Sequence, residues 1–397
     1  MVDRDAFDAY DRALSTNAEL VKRATRMVFN FAKGMPPEQA MAYIETRLPA
    51  VASLFGKVAA QAALEAYKAQ REAAHVEEPY EATYTAEVPQ SYVAEDLQDA
   101  AEKHRSGDGW DFDAMSANMV GHMMKYPMYA SDWTMMGNAN RDPAHPKWAF
   151  VPHMGACPWC IMVGSQGFVY RSEDTAKSQR HTNCVCPVVV DFDVDNPHLD
   201  DYDPDGMYQR MLECAEAGSG VPGSHDWGEA LREARQFRDR EWLRTGKIPT
   251  VGYDSKKTRE KKAKDPNHAD EFHTATILAS RGYKVVFWDD ERQVPKTIGK
   301  GMDTIGWVDL DSGVEIKSVY SASALSTFDK HVRKTKGKQG VSRLVIDVSE
   351  NPNLTDERAS ELIAEALRNR RYPEAVMIGH GRQLVRVLPA KAPSKKR

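Results

Sequence analysis

Five side chains that bind soft metals fall within thirty residues of this chain: Cys157 and Cys160 in Cys-Pro-Trp-Cys, then His181, Cys184 and Cys186 in His-Thr-Asn-Cys-Val-Cys. Only one other cysteine, Cys214, occurs in the 397 residues. Structural zinc is held by four Cys or His ligands in a tetrahedron, supplied as two short-spaced pairs that folding brings together. Cys157 and Cys160 make one such pair, and His181 with Cys184 or Cys186 makes the other. Five candidates for four positions leave open which of Cys184 and Cys186 completes the set. No Glu stands in an HxE or HExxH context within this cluster, the one HxE of the chain, His75-Val-Glu77, lying some eighty residues upstream, so the expected ion is structural Zn2+ rather than a catalytic one. Two buried thiols beside unrelated loop residues, or a redox CxxC, are the alternatives.

A second constellation lies more than a hundred residues downstream. Glu315-Ile-Lys317 falls in a run that reads as a strand, where residues two apart share a face, so carboxylate and ammonium converge. Asp303 precedes them on the neighbouring strand of an expected hairpin, turned by Asp311-Ser-Gly313. Two carboxylates can hold Mg2+ against a phosphodiester while the lysine orients water or stabilises charge. Glu271, on a preceding helix, is a candidate third acidic member. The next helix carries Lys330, His331, Arg333, Lys334, Lys336 and, just beyond, Lys338, a single-signed patch suited to tracking phosphates. An ordinary strand salt bridge and a solvated helix face are the plain alternatives for these residues.

The elements that must position these groups are legible in the patterning. Residues 4–33 carry an apolar stripe at helical spacing, and Pro36-Pro37 opens a long alanine-rich helix to about Ala74 with a candidate kink at Pro49. Residues 76–92 read as a loop and 93–104 as a shorter helix. Met115, Met119, Met123, Met124, Met128, Met135 and Met136 sit at spacing that fits a helix buried in a core, with an assembly surface as the minority reading. Seven aspartates between 191 and 205 lack EF-hand spacing and read as a solvated loop. Gly218 to Gly223 and the Lys/Arg-dense 256–264 suggest a boundary near residue 265. From there the order reads αβββαβαββ: a helix over 269–280, strands at 283–288, 301–310 and 314–319, a helix over 323–337, a strand at 342–348, a helix over 355–371, and strands at 375–378 and 383–387.

Cys157-Pro-Trp-Cys160, Gly167 to Ser172 and His181 to Cys186 together resemble the Mu F-like minor head, or head-morphogenesis, proteins of tailed bacteriophages, in which CxxC is followed by HxxCxC. The likeness covers about residues 100–200, with Thr182 and Val185 standing where proline and a basic residue are more usual. It implies a virion protein made in the bacterial host cytoplasm, with phage portal and capsid proteins as partners. The downstream element order, with Asp303 and Glu315-Ile-Lys317, is similar to the PD-(D/E)xK nuclease superfamily, Met302 replacing the motif's proline. Glu271, the 279–283 turn, Glu315 to Ser318, and Gln339 before Leu344-Val-Ile-Asp347 look like the tRNase toxin domains of contact-dependent growth inhibition proteins. That resemblance implies metal-dependent cleavage of RNA, tRNA foremost, with an immunity protein as a further partner, and roles for Glu271 and Gln339 in supporting metal or substrate.

The expected architecture is therefore multidomain: a mainly α amino-terminal half with a small zinc-binding α+β module, then a carboxy-terminal α/β PD-(D/E)xK-like domain. The expected divisions are a helical region 1–105, a Mu F-like module 106–217, a charged linker and helix 218–266, a nuclease-like domain 267–390 and a basic tail 391–397. A purely structural head-assembly protein and a DNA nuclease acting in packaging or entry are the competing functions. Composition fits this frame: 42% hydrophobic residues suffice for real cores, and a net charge of -5 with pI near 6.2 confines any polyanion site to a local patch. No run approaches the length of a membrane span, and no secretion signal is visible at the amino terminus.

Overall fold

The computed structural model describes residues 1–85, 88–107, 109–169, 181–287, 313–336 and 341–391. It divides into two compact units, Met1–Asp205 and Gly206–Arg397.

The first unit is a helical bundle carrying a small β-ladder. Helix α1 (Arg4–Ala32) starts at Asp3, whose carboxylate accepts from Ala6 N at 2.8 Å, and it buries the stripe Phe7, Tyr10, Leu14, Val21, Val28 and Phe29. Helix α2 (Pro37–Ala73) runs unbroken through Pro49. Its alanines Ala52, Ala59, Ala60 and Ala63 are buried, and small side chains let neighbouring helices approach closely. Helix α3 (Gln90–Lys103) begins three residues before the expected start. A minimal hairpin, β1 (Arg105–Ser106) with β2 (Gly109–Trp110), leads into α4 (Phe112–Arg141). All seven methionines expected in that helix are buried between α1, α2 and α3. Each contributes roughly 1.5–3 kcal/mol of apolar burial, which is why the stripe is core.

Strand β3 (Lys147–Phe150) and helix α5 (Pro158–Gly164) follow, and then β4 (Val188–Asp191), which pairs antiparallel with β3, Lys147 opposite Asp191 and Phe150 opposite Val188. Trp148, Phe150, Val188 and Val190 pack into the same core as Tyr10, Leu14, Tyr67 and Met124. Asp191, the first of the aspartate-rich run, is buried and accepts backbone N–H groups from Asp193 and His198 at 2.9 and 2.7 Å, folding the acidic loop onto itself.

Helix α6 (Pro204–Ser219) crosses into the second unit, which begins at Gly206. The stretch read as a charged linker and helix, 218–266, with a polar helix expected around Trp227 to Arg244, folds as α7 (Trp227–Phe237), α8 (Arg240–Thr245), β5 (Gly252–Tyr253) and α9 (Lys256–Lys262). It is tied to residues downstream. Glu233 is fully buried and accepts from Tyr283 Oη at 2.7 Å, with the Arg238 and Arg343 guanidiniums at 3.7 and 3.5 Å. Helix α10 (His268–Ser280) ends in the Arg281-Gly282 turn. Gly282 has a φ of 81°, and a Cβ there would lie 2.1 Å from the Trp242 ring, so only glycine fits.

Of the expected strand over 283–288, Val286–Phe287 forms β6, which pairs in parallel with β5, and residue 288 lies outside the described residues. The expected strand over 301–310, and with it the hairpin, lies outside the described residues. Next come β7 (Gly313–Ser318), α11 (Leu325–Lys336), β8 (Val341–Asp347), α12 (Asp356–Arg370), β9 (Ala375–Ile378) and β10 (Leu384–Val387). They build a four-stranded sheet in the order β10-β9-β8-β7, parallel except for β10. Helices α11 and α12 cover one face through Phe328, Val332, Leu362 and Ile363, and α10 covers the other through Ile277 and Leu278.

Candidate metal centre

The β3–β4 ladder brings the two halves of the cysteine motif together. Beyond Phe150 the pairing continues with Val151 N donating to Pro187 O at 3.0 Å, so the chain leaving β3 runs beside the chain entering β4. Pro158 at the first helical position starts α5, and Cys157 caps it, its Sγ accepting from Cys160 N at 3.5 Å. One turn therefore separates the two sulfurs. Gly164, at the far end of α5, lies so close to Pro152 that a Cβ would sit 2.4 Å from the ring. On the other side, Asn183 takes a left-handed φ of 64° and donates its N–H to Gly121 O on α4 at 3.1 Å, which turns His181 and Cys184 back toward α5.

The donors converge. Cys157 Sγ and Cys160 Sγ lie 2.9 and 3.1 Å from His181 Nε2, and Cys160 Sγ lies 3.3 Å from Cys184 Sγ. Cys157, Cys160 and His181 form one set with ligand atoms all within 4.8 Å, and Cys160, Cys184 and Cys186 form another. None of the five cysteines is in a disulfide, and Cys160, Cys184 and Cys186 are buried. Trp159 meets the His181 ring edge-on at 5.5 Å, and His181 Nδ1 pairs with Thr182 O at 2.7 Å, fixing the imidazole so that Nε2 points at the sulfurs.

Electrostatics within the cluster conflict. The hydrogen bond from Cys160 pulls the Cys157 thiol down to about 4, while the same contact, with Cys184 next, pushes the Cys160 thiol far up. His181 is raised to about 9, chiefly by its hydrogen bond to Cys157. Several sulfurs in one small volume cannot all be thiolates unless a cation shares it. A divalent ion removes that conflict, and N/S donors at this spacing suit Zn2+. The cluster can hold a metal such as zinc.

One participant was absent from the sequence reading. His153, in the loop after β3, places Nδ1 3.3 Å from Cys186 Sγ. Its only sequence signal was a position four residues before Cys157, outside both ligand pairs.

In the second unit, Glu315 and Lys317 form an ion pair on β7, Glu315 buried. Ile316 between them packs toward α10 with Val345 and Ile378, so strand alternation points Glu315 and Lys317 at the α11/α12 face. Glu271 is not brought to them. It sits on α10, which covers the opposite face, and pairs with Lys262 Nζ at 2.6 Å. Asp303, Gln339 and Lys338 lie outside the described residues.

Lys330, Arg333, Lys334 and Lys336 are exposed on α11, whereas His331 is half-buried on the flank of the stripe formed by Phe328, Val332 and Thr335. Burial lowers the His331 pKa, with Lys317 the strongest charged neighbour. The sequence reading had passed over His331 as one cation among several.

A family model described as VG15 protein matches residues 1–214. No curated protein and no solved structure matches the chain.

Proposed function

The chain belongs to the VG15 protein family, a family of phage proteins, and from that premise we propose that it is a minor head protein of a tailed bacteriophage whose first unit is stapled by one structural zinc. The observation that carries the zinc is the convergence of Cys157, Cys160, His181 and Cys184 through contacts of 2.9–3.3 Å from two segments twenty residues apart. A bound ion ties α5, the His181–Cys186 segment and, through Asn183, helix α4 into one body. The Mu F-like pattern of the cysteine motif, with its expected portal and capsid partners and virion location, supports the same reading. No helix among the described residues is long and apolar enough to cross a membrane.

Metal analysis of the purified chain tests the staple: about one zinc per chain is expected, and a folded preparation without it overturns the proposal. For the head assignment, virions purified from a producing host carry the chain in few copies, and its absence from particles counts against the reading.

A second reading concerns Gly206–Arg397, and its specific observation is the Glu315–Lys317 pair with His331 beside it and an exposed basic helix face next to that. In this reading the second unit is a PD-(D/E)xK-like nuclease. Glu315, with Asp303, would hold Mg2+, which supplies charge neutralisation at a phosphodiester. Lys317 would orient water, Gln339 would support the substrate, and α11 would track the backbone, RNA being favoured and tRNA first. Glu271, on α10, pairs with Lys262, and its role in supporting the metal or substrate rests on the resemblance alone. The full-length chain incubated in Mg2+ with total tRNA, rRNA and duplex DNA tests this. Cleavage reduced more than about 100-fold by Glu315→Ala and by Lys317→Ala is expected. Intact substrates, or cleavage indifferent to both changes, leave the structural head-protein reading alone.

A further inference from the structure

Resting on the zinc reading above, we propose that the ion is held by Cys157, Cys160, His181 and Cys184, and that His153 holds Cys186 outside this set. Distance alone does not separate the two candidates for the fourth position, because the sulfurs of Cys184 and Cys186 both lie within 4.8 Å of that of Cys160. Strand pairing does. The β3–β4 register places Phe150 opposite Val188, and the Val151 N to Pro187 O hydrogen bond carries the ladder one step further. Continued by one more residue, that register sets Cys186 across from Pro152, beside His153. Cys186 is thereby committed to the β3 side, and its sulfur meets His153 Nδ1 at 3.3 Å.

Cys184 is two residues upstream of that pairing. It contacts Cys160 at 3.3 Å, on the side of the cluster that His181 enters. The resulting set has the spacing CxxC followed by HxxC, a Cys3His donor set of the kind that closes tetrahedral structural zinc sites. A thiol and an imidazole nitrogen also satisfy each other's hydrogen bonding in a buried position. His153 is thus a positioning residue. It keeps the surplus sulfur from competing for the metal and links the centre to the end of β3.

The test uses the full-length chain loaded with 113Cd2+ or Co2+. In wild-type protein, proton–cadmium correlations should reach the Cβ protons of Cys157, Cys160 and Cys184 and the His181 ring. Correlations to Cys186 or His153 in place of Cys184 overturn the assignment without any variant having to fold. In chelator competition, Cys184→Ala should lose more than about 100-fold in affinity, while Cys186→Ala and His153→Gln should stay within about tenfold, the lower end of what outer partners of a metal site contribute. Cobalt-to-thiolate absorption should keep its intensity in Cys186→Ala. Equal losses for the two cysteines, or a larger one for Cys186, overturn the proposal. Wild-type protein that takes up no ion overturns the zinc reading itself, whereas stoichiometric uptake by a different set overturns only this assignment.

Discussion

Glu233 has no exposed surface and two guanidiniums within 3.7 Å, with Arg238 stacked 4.0 Å over the Tyr283 ring and Arg343 3.6 Å over Phe237. Removing one member of such a buried group leaves the others uncompensated, which costs about 3–5 kcal/mol. Glu233→Ala should therefore lower the unfolding free energy of the second unit, read from urea denaturation, by about that amount. Glu233→Gln, which can still accept from Tyr283, should lose less. A change under about 1 kcal/mol in the alanine variant would mean that the network does not hold the 218–266 segment in place. Residue by residue the sequence was partly legible: Glu315 and Lys317 meet because strand alternation is local, whereas Glu233 sat unremarked in a polar helix. Nothing in its neighbours along the chain indicates that Arg343, 110 residues away, will face it.

Among the elements, α3 is docked on α4 by Asp96, whose carboxylate pairs with His122 Nδ1 at 3.0 Å and Lys125 Nζ at 2.6 Å and accepts from Tyr126 Oη. Burial acts to raise the Asp96 pKa, but the hydrogen bonds from His122, Lys125 and Tyr126 outweigh it and hold the carboxyl below its ordinary value. With the folded value depressed, the stabilisation is fully present above the unfolded value near 4 and is lost as pH falls from there toward the folded value. The first unit's thermal midpoint should drop between about pH 5 and pH 3, and Asp96→Asn should flatten part of that slope. An unchanged slope in the variant sinks the assignment.

At the elements that carry the candidate metal cluster, Gly164→Ala would drive a Cβ into Pro152, a rigid ring on a chain pinned by the β3–β4 ladder. A cost of about 1–3 kcal/mol is expected from such overpacking, read as a lower melting temperature together with weaker zinc retention. An unaltered melt would show that α5 can shift.

At the scale of the whole molecule, division into Met1–Asp205 and Gly206–Arg397 predicts two calorimetric transitions, of which only one responds to chelator. A fragment ending at Asp205 should retain the metal and the lower-pH sensitivity of the intact chain. If chelation shifted both transitions equally, the two units would not be separate cooperative bodies. The match of the family model to residues 1–214 ends within α6, close to the boundary between the units.

What the sequence determined by itself was whatever depends on near neighbours. Helical periodicity located α1, α2 and the methionine-bearing α4. Alternation and turn residues located β7 through β10 to within a few residues, and short-spaced cysteines pointed to a cluster that can hold a metal. Tertiary structure decided what depends on partners distant along the chain. It packed the polar helix read around residues 227–244 as α7 and α8, because the burial of Glu233 and Trp242 is set by residues dozens of positions downstream. It put Glu271 on the face opposite Glu315, because the side on which a helix covers a sheet is set by the packing of Ile277 and Leu278 and not by spacing. It also brought His153 to Cys186, because a β-ladder register, and not proximity in sequence, sets those two residues side by side.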